Sequence, residues 1–517
     1  MTSFTMEDTL LEITGFGAWQ GGRIVDNTHF EFQGMSFKGG IPVTDATIQE
    51  RIGVKTRRVA SAEERIGVSA FQELLKLPGY DLSRIKVLIC ATNFGDDKRD
   101  IEPQVGPAYA LIRRHCPNAL VFDLYAGCPG FNAAVEQIFM LSLSGYLGAG
   151  DLSVIIGAEN IAKAQGFPEL DTSNIIFGDD ALASFLETRA ERKPQGKYRV
   201  RTGPSGSVGK DRITGLARAV ADLLGEERFD GLIVDNQQAR LDERIPACAA
   251  RIQHRLTELW HPEAVRSGRF AKFKDAYAFY RERMNAFAFD IQSLDRSPEA
   301  VNTLAAAAVR SGKCSSVVSV FFRDEQHFEL ALHQGEGYEF QPPQAGVVDT
   351  ITRTHGCFGD YIKGVRSNGN VFCEMDGKGV FLYGTRSAPV QLSELLERNQ
   401  LTLADIDLLI EHQANFAMVL LTMEQLLKHT APHIKQSVAE FVSQKMVNNI
   451  HERGNCSVAC MQRLPFDLAR GALQPDEIQG IPVNQNLEAL QKARVICYDS
   501  VGAGMTRSSF LYRKPKN

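Results

Sequence analysis

Apolar positions along this chain follow two rhythms. Short unbroken apolar runs rich in β-formers, Lys86–Asn93 and Ala119–Tyr125, predict buried strands. From Pro129 the spacing changes. Phe131, Val135, Ile138, Phe139 and Leu141 recur near every 3.6 residues and predict a helix. Pro129 suits its first turn, where a missing N–H costs nothing, and Gly145 and Gly148 are its stop signals. Another strand is predicted at Leu152–Gly157. Strand and helix thus alternate as far as residue 190, the pattern of a largely parallel sheet with helices on its faces. The theme returns near the C-terminus, with a strand at Asp405–Glu411, a helix after Asn415 and a strand at Arg494–Asp499. Two α/β halves, each running from strand to polar residue to helix, hint at internal duplication in pattern rather than in residue identity.

Between the halves, roughly Thr188 to Ala345, the pattern differs. This stretch opens on Lys193-Pro-Gln-Gly196, a solvated linker composition. It holds a strand at Asp230–Asp235 and a strand pair at Ser316–Phe322 and Phe328–His333. Its centre is helical and basic. Phe270, Phe273, Tyr277, Tyr280, Met284 and Phe287 recur at steps of three and four, one face of a helix, and such a stripe reads first as packing. The expected organisation is therefore 1–190, an inserted region 191–345, and 346–517.

Composition narrows the class. With 517 residues, 44% hydrophobic and 23% charged, the chain can bury a sizeable core. A net charge of -5 gives no basis for a nucleic-acid partner. The N-terminus lacks a basic segment followed by an apolar run, so no signal peptide is expected. The most apolar long segment, Ile138–Leu147, is too short to span a bilayer. Ten scattered cysteines, with no C-x-x-C pair, point to reduced thiols and a cytoplasmic protein rather than to disulfides or zinc. The sequon Asn455-Cys456-Ser457 carries no weight without a secretory signal.

Three segments carry chemistry. In Asp123-Leu-Tyr-Ala-Gly-Cys128-Pro-Gly-Phe131 a cysteine sits at the turn from a buried strand into a helix, where free N–H groups favour thiolate, the nucleophilic form. In Glu411-His412-Gln-Ala-Asn415 a histidine ends a strand and can exchange protons or donate to an oxyanion. In Gly454-Asn455-Cys456-Ser457 an amide can donate, and the loop Ser500-Val-Gly502-Ala503-Gly504-Met505-Thr506 lets backbone N–H groups approach a substrate. Each alone has a plain structural reading: an inert cysteine, a core histidine, a tight turn.

Together their order resembles the ketoacyl-acyl-carrier-protein synthase III group of the thiolase superfamily. That group carries a cysteine in an "ACAGF"-like segment, then "HQAN", "GNTSAA" and "GGG"; here they read AGCPGF, HQAN, GNCSVA and GAG. Ile52-Gly53-Val54, Ile175-Ile-Phe177-Gly-Asp179 and Met375-Asp-Gly377 add to the likeness, which covers about residues 10–190 and 346–513. The resemblance implies a thiolase-like fold of two pseudo-symmetric α/β halves in αβαβα layers, with a mixed, largely helical insertion. It implies that Cys128, His412 and Asn455 are catalytic, with an oxyanion hole from the N–H groups of Cys128 and Ala503. Arg51, Phe177, Gly502 and Gly504 would bind substrate. The implied reaction is decarboxylative condensation of a cysteine-bound acyl primer with a malonyl thioester, in fatty-acid or polyketide-type biosynthesis. The implied partners are acyl-carrier protein, acyl and malonyl thioesters of carrier protein or coenzyme A, and a second copy in a homodimer. No metal or redox cofactor is required. Acyl transfer to an alcohol or amine, non-decarboxylative thiolase chemistry, and a non-catalytic partner subunit are the competing readings.

Some positions depart from the pattern. Ala503 replaces the middle glycine, Pro129 follows the cysteine, and Glu411 precedes the histidine. Thr47 and Asp171 stand where coenzyme A-binding members carry tryptophan and arginine, which favours a carrier-protein primer. In that light the aromatic stripe has a sharper reading as a lid over an acyl pocket. The basic stretch Arg251 to Arg283 reads as a solvated face, or as a dock for an acidic carrier protein or coenzyme A. Gly203–Lys210 imitates a phosphate loop, but its glycine spacing is one residue too long and Asp211 replaces the hydroxyl that magnesium needs, so it reads as a surface loop.

Overall fold

The computed structural model describes the chain apart from residues 1–8, 32–33, 38, 97–101, 166–174, 208, 210, 226–227, 238–239, 241–242, 296, 325, 368–369, 431–435 and 516–517; Asp171 and Lys210 lie outside the described residues. Five strands of the N-terminal half join the large sheet: β1 (Leu11–Ala18), β2 (Ile85–Ala91), β3 (Leu120–Tyr125), β4 (Leu152–Glu159) and β5 (Asp180–Thr188). Five more form in the middle region: β6 (Lys197–Thr202), β7 (Gly231–Asn236), β8 (Phe287–Ser293), β9 (Ser316–Phe322) and β10 (His327–Glu336). All ten belong to one sheet, in the order β1-β5-β4-β2-β3-β8-β7-β9-β10-β6, with the two-residue strand Gly206–Ser207 an eleventh against β10. The C-terminal half builds a second sheet from β11 (Gly346–Thr354), β12 (Leu408–Glu411), β13 (Val495–Gly502) and β14 (Thr506–Arg513), in the order β11-β14-β13-β12.

Helices lie in three layers around the two sheets. Outside the first sheet are α1 (Ile66–Leu75) and α2 (Gly106–Ile112). Between the sheets runs α3 (Gly130–Leu143), all 14 residues of which are buried. It is apolar almost all round because a sheet faces it on each side. The same double coverage explains β2, where Val87 and Ile89 meet α3 while Leu88 and Cys90 meet α1 and α2. A strand buried on both faces shows an unbroken apolar run rather than alternation.

In the middle region α4 (Arg212–Leu224) and α5 (Cys248–Trp260) cover one face of the sheet. The other face holds α7 (Glu299–Arg310), which packs against α3. The aromatic stripe departs from the expected single helix. Phe270 sits in a 3-10 turn, Phe273, Tyr277 and Tyr280 lie on α6 (Phe273–Arg283), Met284 caps it, and Phe287 opens β8. Phe287–Phe289 is an apolar run buried on both faces, which spacing alone does not separate from buried helix. On the outer side of the second sheet pack α8 (Gly377–Arg398) and α9 (Phe416–Thr430), while α10 (Cys460–Ala469) joins α3 in the central layer. The layers are therefore helix, sheet, helix, sheet, helix, a thiolase-like fold.

Candidate active site

β3 stops at Tyr125 and α3 begins at Gly130, with Cys128 in the turn between them. Gly127 has φ +72°, and a Cβ there would sit 2.6 Å from the Ala503 nitrogen. A Cβ on Gly502 would sit 2.4 Å from the Cys128 nitrogen. The two loops therefore meet backbone to backbone, and glycine at both positions is what lets the Cys128 and Ala503 nitrogens share one corner. Gly504 lies in the turn behind them, with Thr506 against it.

Cys128 is touched by a cavity yet lies deep in the protein, and this burial pushes its thiol up to about 12. The helix start was expected to favour thiolate; burial acts in the opposite sense and favours the thiol. Ser457 hydrogen-bonds to Cys128 and opposes that shift in part.

His412 follows β12, its N–H donating to the Asp499 carbonyl at 2.9 Å. Burial and the Arg507 guanidinium lower it to about 3, so the ring is neutral. Its Nδ1 lies 3.0 Å from the Cys460 sulfur. That sulfur also receives the Gln413 backbone N–H, and burial holds the thiol well above its ordinary range. A protonated thiol whose sulfur already accepts one N–H directs its own proton to Nδ1. Nε2 then carries the ring proton. Nε2 is buried without a protein partner, on a residue that lines the cavity. Glu411, one residue earlier, is also buried. Desolvation and the neighbouring Asp499 raise its carboxyl well above the usual range, so it stays neutral and donates to Asp499, whose carboxylate pairs with Arg507.

Asn455 is fixed by backbone on both sides. Its N–H donates to the Ile176 carbonyl at 2.7 Å, and its own carbonyl accepts from Gly178 at 3.1 Å. This short bridge places Phe177 beside it. The side-chain oxygen accepts from the Ser457 N–H at 2.8 Å, which orients the amide so that Nδ2 is the group left to donate. That nitrogen has one long contact, 3.4 Å to the Ala414 carbonyl.

Cys128, His412 and Asn455 come from both halves of the chain onto one cavity of about 590 Å³. Its walls are mostly apolar, among them Phe94, Ile161, Ile362, Met375, Met418 and Met505. Phe177, Gly502 and Ala503 also line it. Arg51 and Phe37 line it too, with the guanidinium 5.4 Å from the ring centroid. Thr47 is not among the lining residues; its hydroxyl bonds to Thr44 and Pro42 in a helix cap. None of the six stripe residues lines the cavity, though Phe273 stacks on Phe358 and Tyr277 packs on His355 behind the wall.

Three lining or supporting groups had no signal in the sequence. Asn93 lines the cavity and is held by the buried carboxylate of Glu159. Cys460 supports His412 from 48 residues away. Ile245 reaches the cavity from the middle region. Among the described residues no cluster of three or more His, Cys, Asp or Glu is placed to hold a metal ion, and no helix is long and apolar enough to cross a membrane.

No family model matches the chain. Curated relatives do. The beta-ketoacyl-[acyl-carrier-protein] synthase III of Staphylococcus saprophyticus is 29% identical over 203 residues, 38% of this chain and 58% of that one. The enzyme of that name from Novosphingobium aromaticivorans is 31% identical over 153 residues, 28% of this chain and 44% of that one. The matched part thus spans about half of these relatives, which are shorter than this chain. Among solved structures, 3-oxoacyl-[acyl-carrier-protein] synthase III from Aquifex aeolicus superposes with a TM-score of 0.53 at 16% identity, covering 97% of this chain and 99% of that one. The Pseudomonas aeruginosa protein gives 0.53 at 17%, covering 98% and 99%. These likenesses show the fold.

Proposed function

We propose that this thiolase-fold chain is a condensing enzyme that joins a cysteine-bound acyl group to a malonyl thioester. The observation that carries the reading is the cavity itself. One apolar space is lined by a cysteine thiol, an unpartnered imidazole Nε2 and an oriented amide Nδ2. In the first step the Cys128 sulfur adds to a primer thioester, the bond to the carrier sulfur breaks, and the proton leaves with that thiol. The N–H groups of Cys128 and Ala503 stabilise the oxyanion on the way. In the second step His412 Nε2–H and Asn455 Nδ2–H hold the carbonyl of a malonyl thioester. Carbon dioxide leaves, and the enolate attacks the acyl-cysteine, whose C–S bond breaks to release a β-ketoacyl thioester; the cysteine sulfur takes up one proton from water and returns to the thiol.

Acyl-carrier protein and malonyl and acyl thioesters are the substrates this reading implies, in fatty-acid or polyketide-type synthesis. A carrier-protein primer is favoured, because Thr47 is taken up in a helix cap and offers no aromatic surface for an adenine. Intact-protein mass spectrometry after incubation with a panel of acyl-CoA and acyl-carrier-protein donors tests it. The expected result is one acyl adduct, formed faster from carrier protein and abolished in Cys128→Ala. Absence of an adduct from every donor would overturn the reading, and efficient labelling by free acyl-CoA would overturn the carrier preference.

A further inference from the structure

The large sheet reads the same from either end. Each strand of β1–β5 has a counterpart five places later, and β1-β5-β4-β2-β3 is met by β8-β7-β9-β10-β6, the same order reversed. The senses agree as well. β2 runs parallel to β3 and β4, as β7 does to β8 and β9. β5 is antiparallel to β4 and β1, as β10 is to β9 and β6. The halves join through β3 and β8, which are antiparallel. There Leu124 faces Ile291, Tyr125 faces Asp290 and Asp123 faces Gln292. This register is a local two-fold, since Phe122-Asp123-Leu124-Tyr125 matches Phe289-Asp290-Ile291-Gln292 in place.

The matched aspartates do the same work. Asp123 accepts the backbone N–H groups of Gln104 and Val105 at the start of α2. Asp290 accepts those of Cys248 and Ala249, at 2.8 Å each, at the start of α5. Across the axis α3 packs on α7.

We propose that residues 197–336 are a second, nucleophile-free copy of the N-terminal half, seated where a partner subunit would pair with β3. The active unit is then one chain with one cavity, closed by Ile245 of the copy. Strand β3 would otherwise be a sheet edge, and an edge beside a two-fold axis is a self-pairing surface. In the copy the sequence after β8 reads Leu294-Asp-Arg-Ser-Pro298, without a cysteine. The C-terminal half occurs once. Where its segment Ser457–Ala469 covers β4 and β5, the copy shows instead a cleft whose polar side chains bond to one another. Tyr198 meets His333 at 2.6 Å, and Ser319 meets His333 at 2.9 Å. Among the described residues, Ile245 is the one residue of the middle region that lines the catalytic cavity. It is 2% exposed, and its carbonyl accepts the Gly364 N–H at 2.7 Å, which ties the β7–α5 loop to the C-terminal half.

The role of Ile245 in acyl selection rests on the proposed acylation of Cys128; the one-chain unit does not. Sedimentation velocity of the full chain, with Cys128 reactivity followed through the boundary, is expected to give a single reactive species near 57.1 kDa. A reactive species of twice that mass would overturn the proposal. Methyl and dodecyl methanethiosulfonate then probe the wall, because they label a thiol without catalysis. Ile245→Trp should slow dodecyl labelling of Cys128 about tenfold relative to methyl, and Ile245→Ala should not. An unchanged dodecyl-to-methyl ratio in Ile245→Trp would overturn the wall assignment. If alkyl reagents report a one-chain unit with the Ile245 wall while no acyl thioester labels Cys128, the condensation reading fails and the built-in partner stands.

Discussion

Burial works against ionisation of the Cys128 thiol, and the partners around it set how the site can be used. With the thiol pushed up to about 12, the thiolate fraction grows tenfold for each pH unit across the neutral range. Iodoacetamide labelling of Cys128 should therefore rise about tenfold per unit from pH 6 to 9 without levelling; a plateau near pH 7 would reveal a thiolate. His412 behaves in the opposite sense. Held near 3, it is neutral at every pH above 5, so malonyl decarboxylation should show no inflection between pH 5 and 8. A step near 6.5 in the rate would contradict this. Cys460 contacts His412 Nδ1 and is not among the residues that line the cavity. Cys460→Ala should lower decarboxylation about tenfold with little change in KM, and Cys460→Ser, which keeps a hydroxyl proton for Nδ1, should recover most of it. HQAN and GNCSVA singled out His412 and Asn455, which the fold brings to one cavity with Cys128. Cys460 was not singled out, because its contact with His412 depends on α10 folding back beneath β12.

At the scale of elements, strands covered on both faces and helices with a clear start were readable. Ser316–Phe322 was predicted at its observed bounds, and the start of the helix after Pro129 was found within a residue. Strand β8 was not, because Phe287 continued the spacing of a preceding helix. What a period cannot supply is the partner of a buried carboxylate. Asp290 caps α5 through two backbone N–H groups. Asp290→Ala would leave both unsatisfied in the core and cost about 3 kcal/mol. A lowered thermal midpoint with the far-ultraviolet circular dichroism retained is the expected result. An unchanged midpoint would mean that water replaces the carboxylate.

At the scale of the molecule, the sequence showed similar character in the first and last thirds, and the structure places a third α/β unit between them. Its kinship was hidden because only a short Phe-Asp match survives, and strand order is a property of space rather than of the chain. Removing residues 191–345 would bare the length of β3, so the shortened protein should self-associate, read as a sedimentation coefficient above that of one chain. A monomer of native secondary structure would show that β3 needs no cover.

A substitution in a pair of identical subunits is made twice and must suit both places. Along the β3–β8 junction it is made once. The Tyr125 hydroxyl donates to the Gln292 side-chain oxygen Oε1 at 3.1 Å, and Arg244 sits 4.6 Å over the Tyr125 ring. Tyr125 and Gln292 hold matching places on the two sides of the axis, which identical chains would fill alike. The residue at 245 can likewise grow or shrink while the loop around Cys128 stays as it is. In this chain the size of the cavity and the geometry around Cys128 are inherited separately.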